Sequence, residues 1–124
     1  MKHLLDVNVL LAAIWENHPQ HTRVFDWLPG KSILLCPLSE LGFLRVSTHK
    51  RAINAPMDKA RELLERFSSE RKAEWLADDL PALDSHPERS EEVTDRYLAD
   101  LAARKGAVLA TLDEGIRHGA AQVI

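Results

Sequence analysis

Leu4-Leu5-Asp6-Val7-Asn8-Val9-Leu10-Leu11 opens the chain, and Ala12-Ala13-Ile14 extends it with almost no polar relief. A short apolar run that passes straight into a segment apolar nearly all round reads as a buried strand, Leu4 to Val7, feeding a buried helix, Val9 to Ile14. Buried strand followed by buried helix is the repeating unit of an α/β domain whose parallel sheet is covered on both faces. One acid, Asp6, sits inside this apolar context. A carboxylate between Leu5 and Val7 needs a partner or a cation to be tolerated there.

The rest of the chain repeats the alternation. Thr22 to Leu28 is helical and is broken by Gly30; Ser32 to Cys36 is a second buried strand stopped by Pro37. Ser39 is a good cap for a helix from Glu40 to about Thr48. Ala60, Leu63, Leu64 and Phe67 recur at i, i+3, i+4 and i+7, which predicts an amphipathic helix. Ala73 to Ala77 is a candidate third strand, followed by an irregular connection marked by Pro81 and Pro87. Thr94 can cap a helix with Leu98, Leu101 and Ala102 on its apolar face, stopped by Gly106 after Arg104-Lys105. Ala107 to Thr111 is a strand and Gln122 to Ile124 a last one. The expectation is one domain over residues 1–124, a three-layer α/β/α arrangement around a central, mainly parallel sheet.

Composition narrows the function. The chain has 124 residues, a 45% hydrophobic content and a formal charge of −3, which excludes disorder and fibrous repeats. No apolar run approaches the ~20 residues of a membrane span, and Asp6 comes too early for a signal-peptide core, so a soluble cytoplasmic protein is expected. Cys36 is the single cysteine, which excludes an internal disulfide and a cysteine metal cluster; it reads as a small buried hydrophobe. Charge is unevenly spread: from Arg45 to Lys72 there are 8 bases against 4 acids, and from Ala73 to Asp95 there are 8 acids against Arg89 alone. An acidic site beside a basic surface suits a metal-using enzyme with a polyanionic substrate.

In open α/β sheets the ligand site forms beyond the carboxyl ends of the strands. That rule selects Asp6 after the first strand, Glu40 just past the second, Asp113 after the strand that ends at Thr111, and Asp95 at the start of the helix that precedes that strand. Asp95 lies about 60° from Leu98 around its helix and can point into a cleft, whereas Asp100, about 140° from Asp95, faces elsewhere. Four carboxylates on one rim repel one another unless protons or a cation relieve them. Oxygen ligands with few histidines suit Mg²⁺ or Mn²⁺ rather than Zn²⁺. Such an ion shares its shell with phosphate oxygens, lowers the pKa of a bound water and stabilises charge on the reacting phosphorus, so the pattern points to phosphoryl or phosphodiester chemistry. No Gly-x-Ser-x-Gly, Walker loop, Gly-x-Gly-x-x-Gly or Cys-x-x-Cys competes with it. His18-Pro19-Gln20-His21 reads as a turn with exposed histidines, and Trp15, Trp27 and Trp75 read as core or interface aromatics. Arg45, Lys50 and Arg51 follow Glu40 closely enough for phosphate contact.

Leu4-Leu5-Asp6-Val7-Asn8-Val9-Leu10-Leu11, Ser39-Glu40-Leu41-Gly42-Phe43-Leu44-Arg45, Val93-Thr94-Asp95-Arg96-Tyr97-Leu98 and Ala110-Thr111-Leu112-Asp113, taken together and in this order, resemble the four acidic motifs of the PIN-domain ribonucleases, specifically the toxin components of VapBC-type toxin–antitoxin pairs. The resemblance implies that Asp6 and Asp95 are the principal metal ligands, that Glu40 and Asp113 complete the pocket directly or through water, and that Asn8 and Thr111 brace it. It further implies Mg²⁺- or Mn²⁺-dependent endoribonuclease activity on RNA, homodimers, and inhibition by a cognate antitoxin that places a basic side chain among the acids. Arg96 departs from the pattern, because the family usually carries a small residue after the third acid; Arg45 and Arg96 are candidate substrate contacts. A PIN-like RNA-processing or RNA-binding factor that is not a toxin is the alternative. A phosphoreceiver module is disfavoured because Asp6 has no adjacent acid and none occurs between Glu40 and Asp58.

Overall fold

The computed structural model describes residues 1–124, and its helices and strands alternate as the apolar periodicity requires. Strands β1 (Lys2–Leu5), β2 (Ser32–Leu35), β3 (Glu74–Trp75), β4 (Val108–Thr111) and β5 (Ala121–Val123) form one sheet in the order β3-β2-β1-β4-β5. Every neighbouring pair is parallel, with Leu4 opposite Leu34 on one side and Leu109 on the other. Parallel strands buried on both faces carry apolar residues at consecutive positions, and the period of two then sorts them between two cores.

On one face Leu5, Ile33, Leu35 and Ala110 pack with α1 (Val7–Ile14), α2 (His21–Trp27), α3 (Pro37–Thr48) and α4 (Met57–Glu70). On the other, Leu4, Leu34 and Leu109 meet Leu98, Leu101 and Ala102 of α5 (Val93–Arg104), with Leu76, Leu80 and Ile116 filling in from the connecting segments. The layers are therefore unequal, four helices against one. No helix is long and apolar enough to cross a membrane.

Several boundaries differ from the sequence reading, each for a local reason. β1 ends at Leu5, and Val7 opens α1, because Asp6 caps the helix by accepting the Val7 N–H at 2.8 Å. Ser39 is not a cap: α3 starts two residues earlier on Pro37, whose fixed φ suits a first helical position. The buried Ser39 hydroxyl instead donates to the Leu5 carbonyl at 2.8 Å, tying α3 to the end of β1. Thr94 lies inside α5, which begins at Val93 after a 3₁₀ turn over Ser90–Glu92; Glu92 accepts the Arg89 N–H and fastens that turn. The third strand is only Glu74–Trp75, and the Trp75 side chain is 64% exposed rather than packed. His18 and His21 are half-buried rather than exposed, His21 placing Nδ1 2.7 Å from the Ala12 carbonyl. Gly42 permits the close crossing of α1 and α3, since a Cβ there would collide with the Val7 side chain.

Candidate active site

Asp6, the first residue beyond the central strand β1, is almost entirely buried. One carboxylate oxygen accepts the Val7 N–H, and the other accepts the Thr111 hydroxyl at 2.8 Å. Thr111 ends the adjacent strand β4 and is itself fully buried. Its oxygen also accepts the Asp113 N–H at 3.0 Å and the Asn8 side-chain amide at 3.4 Å, so its one proton has only Asp6 to go to. Asn8, the second residue of α1, closes the network by accepting the Leu112 N–H at 3.1 Å. The first helix and the strand beside β1 thus each hold one oxygen of this carboxylate.

Asp95, in the first turn of α5, is half-buried and its pKa is pushed up to about 6, first by burial and then by the charges of Asp6 and Asp113. Asp6 is also raised, chiefly by burial and further by Asp113, against the opposing bonds from Thr111 and Val7. Asp113 is exposed at the rim, one oxygen accepting the Gly115 N–H at 2.8 Å. These three acids share one electrostatic pocket, and no ion pair to a basic side chain relieves it.

Glu40 stands apart. It is half-buried in the first turn of α3, its Oε1 accepts the exposed Trp75 indole N–H at 3.3 Å, and it borders an open groove of about 800 Å³ between α3 and α4. Of the two candidate substrate arginines, Arg96 lines a cavity of about 250 Å³ together with Asp95 and Asp113; Arg45 is exposed on α3 and does not. Asp100 does not line that cavity but lies 2.6 Å from Nε2 of His118, which does.

The donor set suits a hard divalent cation. Three mutually repelling carboxylates that make no ion pair carry an electrostatic cost that a bound cation would relieve. No three acidic or imidazole side chains are close enough to cage an ion alone. Mg²⁺ tolerates this, because it keeps several waters and takes only one or two carboxylates directly. Asp6 and Asp95 are the two whose ionised forms most need it.

The model of the PIN domain matches residues 3–121. The chain belongs to the PIN-domain family. Among its relatives, Ribonuclease VapC38 of Mycobacterium tuberculosis is 36% identical over 121 residues, covering 91% of this chain and 86% of that protein. Ribonuclease VapC44 of the same species is 34% identical over 127 residues, covering 94% and 89%. A solved structure of VapBC2 from Rickettsia felis, bound to a DNA fragment from its promoter, superposes with a TM-score of 0.62 at 17% identity over 93% of this chain and 90% of that one. That likeness speaks to the PIN fold.

Sequence reasoning missed three contributors to this PIN domain's site. Ser39 offered a helix-cap signature that the fold spends on the Leu5 carbonyl. Trp75 carried no local sign of standing next to Glu40, since parallel pairing of β2 and β3 is what brings residues 40 and 75 together. The Asp100–His118 contact joins a helix to a loop 18 residues on, and the only local hint was the Gly115 and Gly119 that bracket the loop.

Proposed function

We propose that this PIN domain is a divalent-metal-dependent endoribonuclease and the toxin half of a toxin–antitoxin pair. The observation that carries the reading is the buried Asp6, locked by Thr111 and Val7 beside an Asp95 whose carboxyl is lifted to about 6 by burial and by its acidic neighbours. Relatives that cover nearly the whole chain are named ribonucleases, which supports the substrate, and the neighbour of like fold comes from a structure of VapBC2, which supports a protein partner.

Asp6 and Asp95 would hold Mg²⁺ or Mn²⁺, with Asp113 at the rim of the same pocket and Glu40, which stands apart, limited to contact through water. Bound there, the ion supplies an activated water and neutralises charge developing on the phosphate. Thr111 keeps the Asp6 carboxylate in one orientation by donating its only proton to it, and Asn8 holds Thr111 in turn. Burial of Asp6 and partial burial of Asp95 keep the local dielectric low, which strengthens every interaction with the ion and the phosphate. None of these residues needs to shuttle a proton.

Purified protein is expected to cut RNA in Mg²⁺ or Mn²⁺, to stop when EDTA is added, and to lose cleavage in Asp6→Asn and in Asp95→Asn while the circular dichroism spectrum is retained. Cleavage that survives in both variants overturns the assignment. Growth arrest on expression, relieved by a small co-expressed partner, distinguishes a toxin from an RNA-processing factor.

A further inference from the structure

The cavity of about 250 Å³ beside Asp95 and Asp113 is lined by both signs of charge, and its acids and bases sort themselves. Arg89 is engaged by Glu91 at 3.6 Å and Glu92 at 3.7 Å, which removes all three from consideration. Asp95 and Asp113 belong to the acidic pocket. What remains is Arg96, half-buried on α5, and Arg117, exposed on the loop between β4 and β5; neither guanidinium makes an ion pair. Two arginines that line the same small cavity without an ion pair, Arg96 attracted at longer range by Glu92 and Asp100, give one flank of the acidic pocket the charge an anion would need.

The loop that carries Arg117 is pinned on both sides of it. Ile116 packs against the core under α5. His118 Nδ1 accepts the Ala120 N–H at 3.0 Å, which leaves the ring proton on Nε2 to donate to Asp100 at 2.6 Å. Both imidazole nitrogens are therefore occupied, so His118 is a clasp between loop and helix, with no nitrogen left for acid–base work. The clasp ties Arg117 to α5, the helix from which Arg96 projects.

We propose that Arg96 and Arg117 form a phosphate clamp that grips a backbone phosphate of the RNA strand adjacent to the one being cut, and that Asp100 and His118 are positioning residues that hold the clamp's two arms together. A guanidinium presents paired N–H donors that match phosphate oxygens. A polyanionic strand crossing an acidic pocket needs such cations at the flank, because the pocket's own carboxylates repel it. The proposal rests on the ribonuclease reading.

The test is binding of a fluorescein-labelled single-stranded RNA oligonucleotide in EDTA, where no cleavage occurs, measured across a range of salt concentrations. Arg96→Ala and Arg117→Ala are each expected to weaken binding about tenfold or more, the weight of a charge-assisted contact. Each should also flatten the slope of log K against log salt by about 0.7, the single-strand value for one phosphate contact. Arg117→Lys should keep the slope and lose affinity, since charge survives but the paired donors do not. Arg104→Ala, on α5 outside the cavity, should change neither. Asp100→Ala should weaken RNA binding through the loosened loop, with Asp100→Asn restoring it by accepting the Nε2–H. Slopes that are unchanged in both alanine variants, in a protein that binds and cuts RNA, overturn the clamp and leave the ribonuclease reading standing. A wild-type protein that neither binds nor cuts RNA overturns both. Loss of affinity for a protein partner with RNA binding intact assigns the arginines to that partner and also overturns the clamp. Thermal melting of each variant identifies any loss due to unfolding, and Arg117→Lys carries the test if an alanine variant fails to fold.

Discussion

Asp6 and Glu40 hold equivalent places in the sheet, each an acid beyond the carboxyl end of a parallel strand and near the start of the helix that follows. Their surroundings differ sharply. Asp6 is one residue past the central strand β1, buried, with both oxygens bonded at 2.8 Å. Glu40 is five residues past β2, on a longer side chain, with one bond of 3.3 Å to an exposed indole. The cause is position in the sheet: β1 is flanked by β2 and β4, so Thr111 at the end of β4 can reach Asp6, while β2 has on its outer side only the two-residue edge strand β3. A parallel sheet thus offers one tightly held acid at its centre and a looser one toward its edge. On the proposed reading, the tight acid would coordinate the ion directly and the loose one would act only through water.

Removing the brace of the tight half should give the largest effect. Thr111→Val deletes the hydroxyl that donates to Asp6 and accepts from Asp113 and Asn8, at nearly constant volume. Groups that orient metal ligands are worth about 10–100-fold in activity or metal affinity, and that is the expected loss of RNA cleavage. The buried carboxylate left short of a donor should also cost about 1–3 kcal/mol in urea unfolding of the metal-free protein. A variant that cleaves as well as the parent would mean that Asp6 needs no second anchor, and the contrast with Glu40 would lose its basis.

The electrostatic load on the tight half has its own signature. Asp95 ionises near 6 in the folded protein against an ordinary 3.8, so between these values the native state binds more protons than the unfolded chain. Stability of the metal-free protein must then fall as pH rises from about 4 to about 6, and level off above the folded value. Asp6, shifted in the same direction, adds to the trend. Melting temperatures in EDTA should follow this course, Asp95→Asn should flatten most of it, and Mg²⁺ at pH 7 should raise the melting temperature of the parent protein by supplying the missing counter-charge. A melting curve indifferent to pH in that window would show that the three acids do not share a pocket.

How much of this could be read from the chain follows the same division. The helix-strand alternation, the layers and the rim positions of Asp6, Asp95 and Asp113 came from periodicity and from the strand-end rule, because both depend on short-range patterns. The motif resemblance offered Asn8 as a brace for Asp6 and Thr111 as a neighbour of Asp113; the bond from Thr111 to Asp6, with Asn8 reaching Asp6 only through Thr111, came from the structure. What stayed hidden depends on long-range juxtaposition. Nothing near Ser39 says that its hydroxyl will satisfy the Leu5 carbonyl, and nothing near Trp75 says that a two-residue strand will leave it exposed at Glu40. Helix starts were misplaced by one to three residues at Ser39 and Thr94 for a related reason: a serine or threonine that looks like a cap can be claimed by tertiary contacts or by a preceding 3₁₀ turn.

The smallest effect is expected at the loose half. Trp75→Phe removes the indole N–H from Glu40 and keeps an aromatic ring on the edge strand. The bond it deletes is long and open to water, so water can replace it at little cost. Stability should change by less than about 0.5 kcal/mol, the range of ordinary surface substitutions, and RNA cleavage should fall by far less than in Thr111→Val. The side-by-side cleavage rates of these two variants test the comparison most directly. If Trp75→Phe proves as damaging as Thr111→Val, Glu40 is held as firmly in the working enzyme as Asp6. The edge strand would then have to be counted as part of the active-site frame, with Trp75 doing for the second acid what Thr111 does for the first.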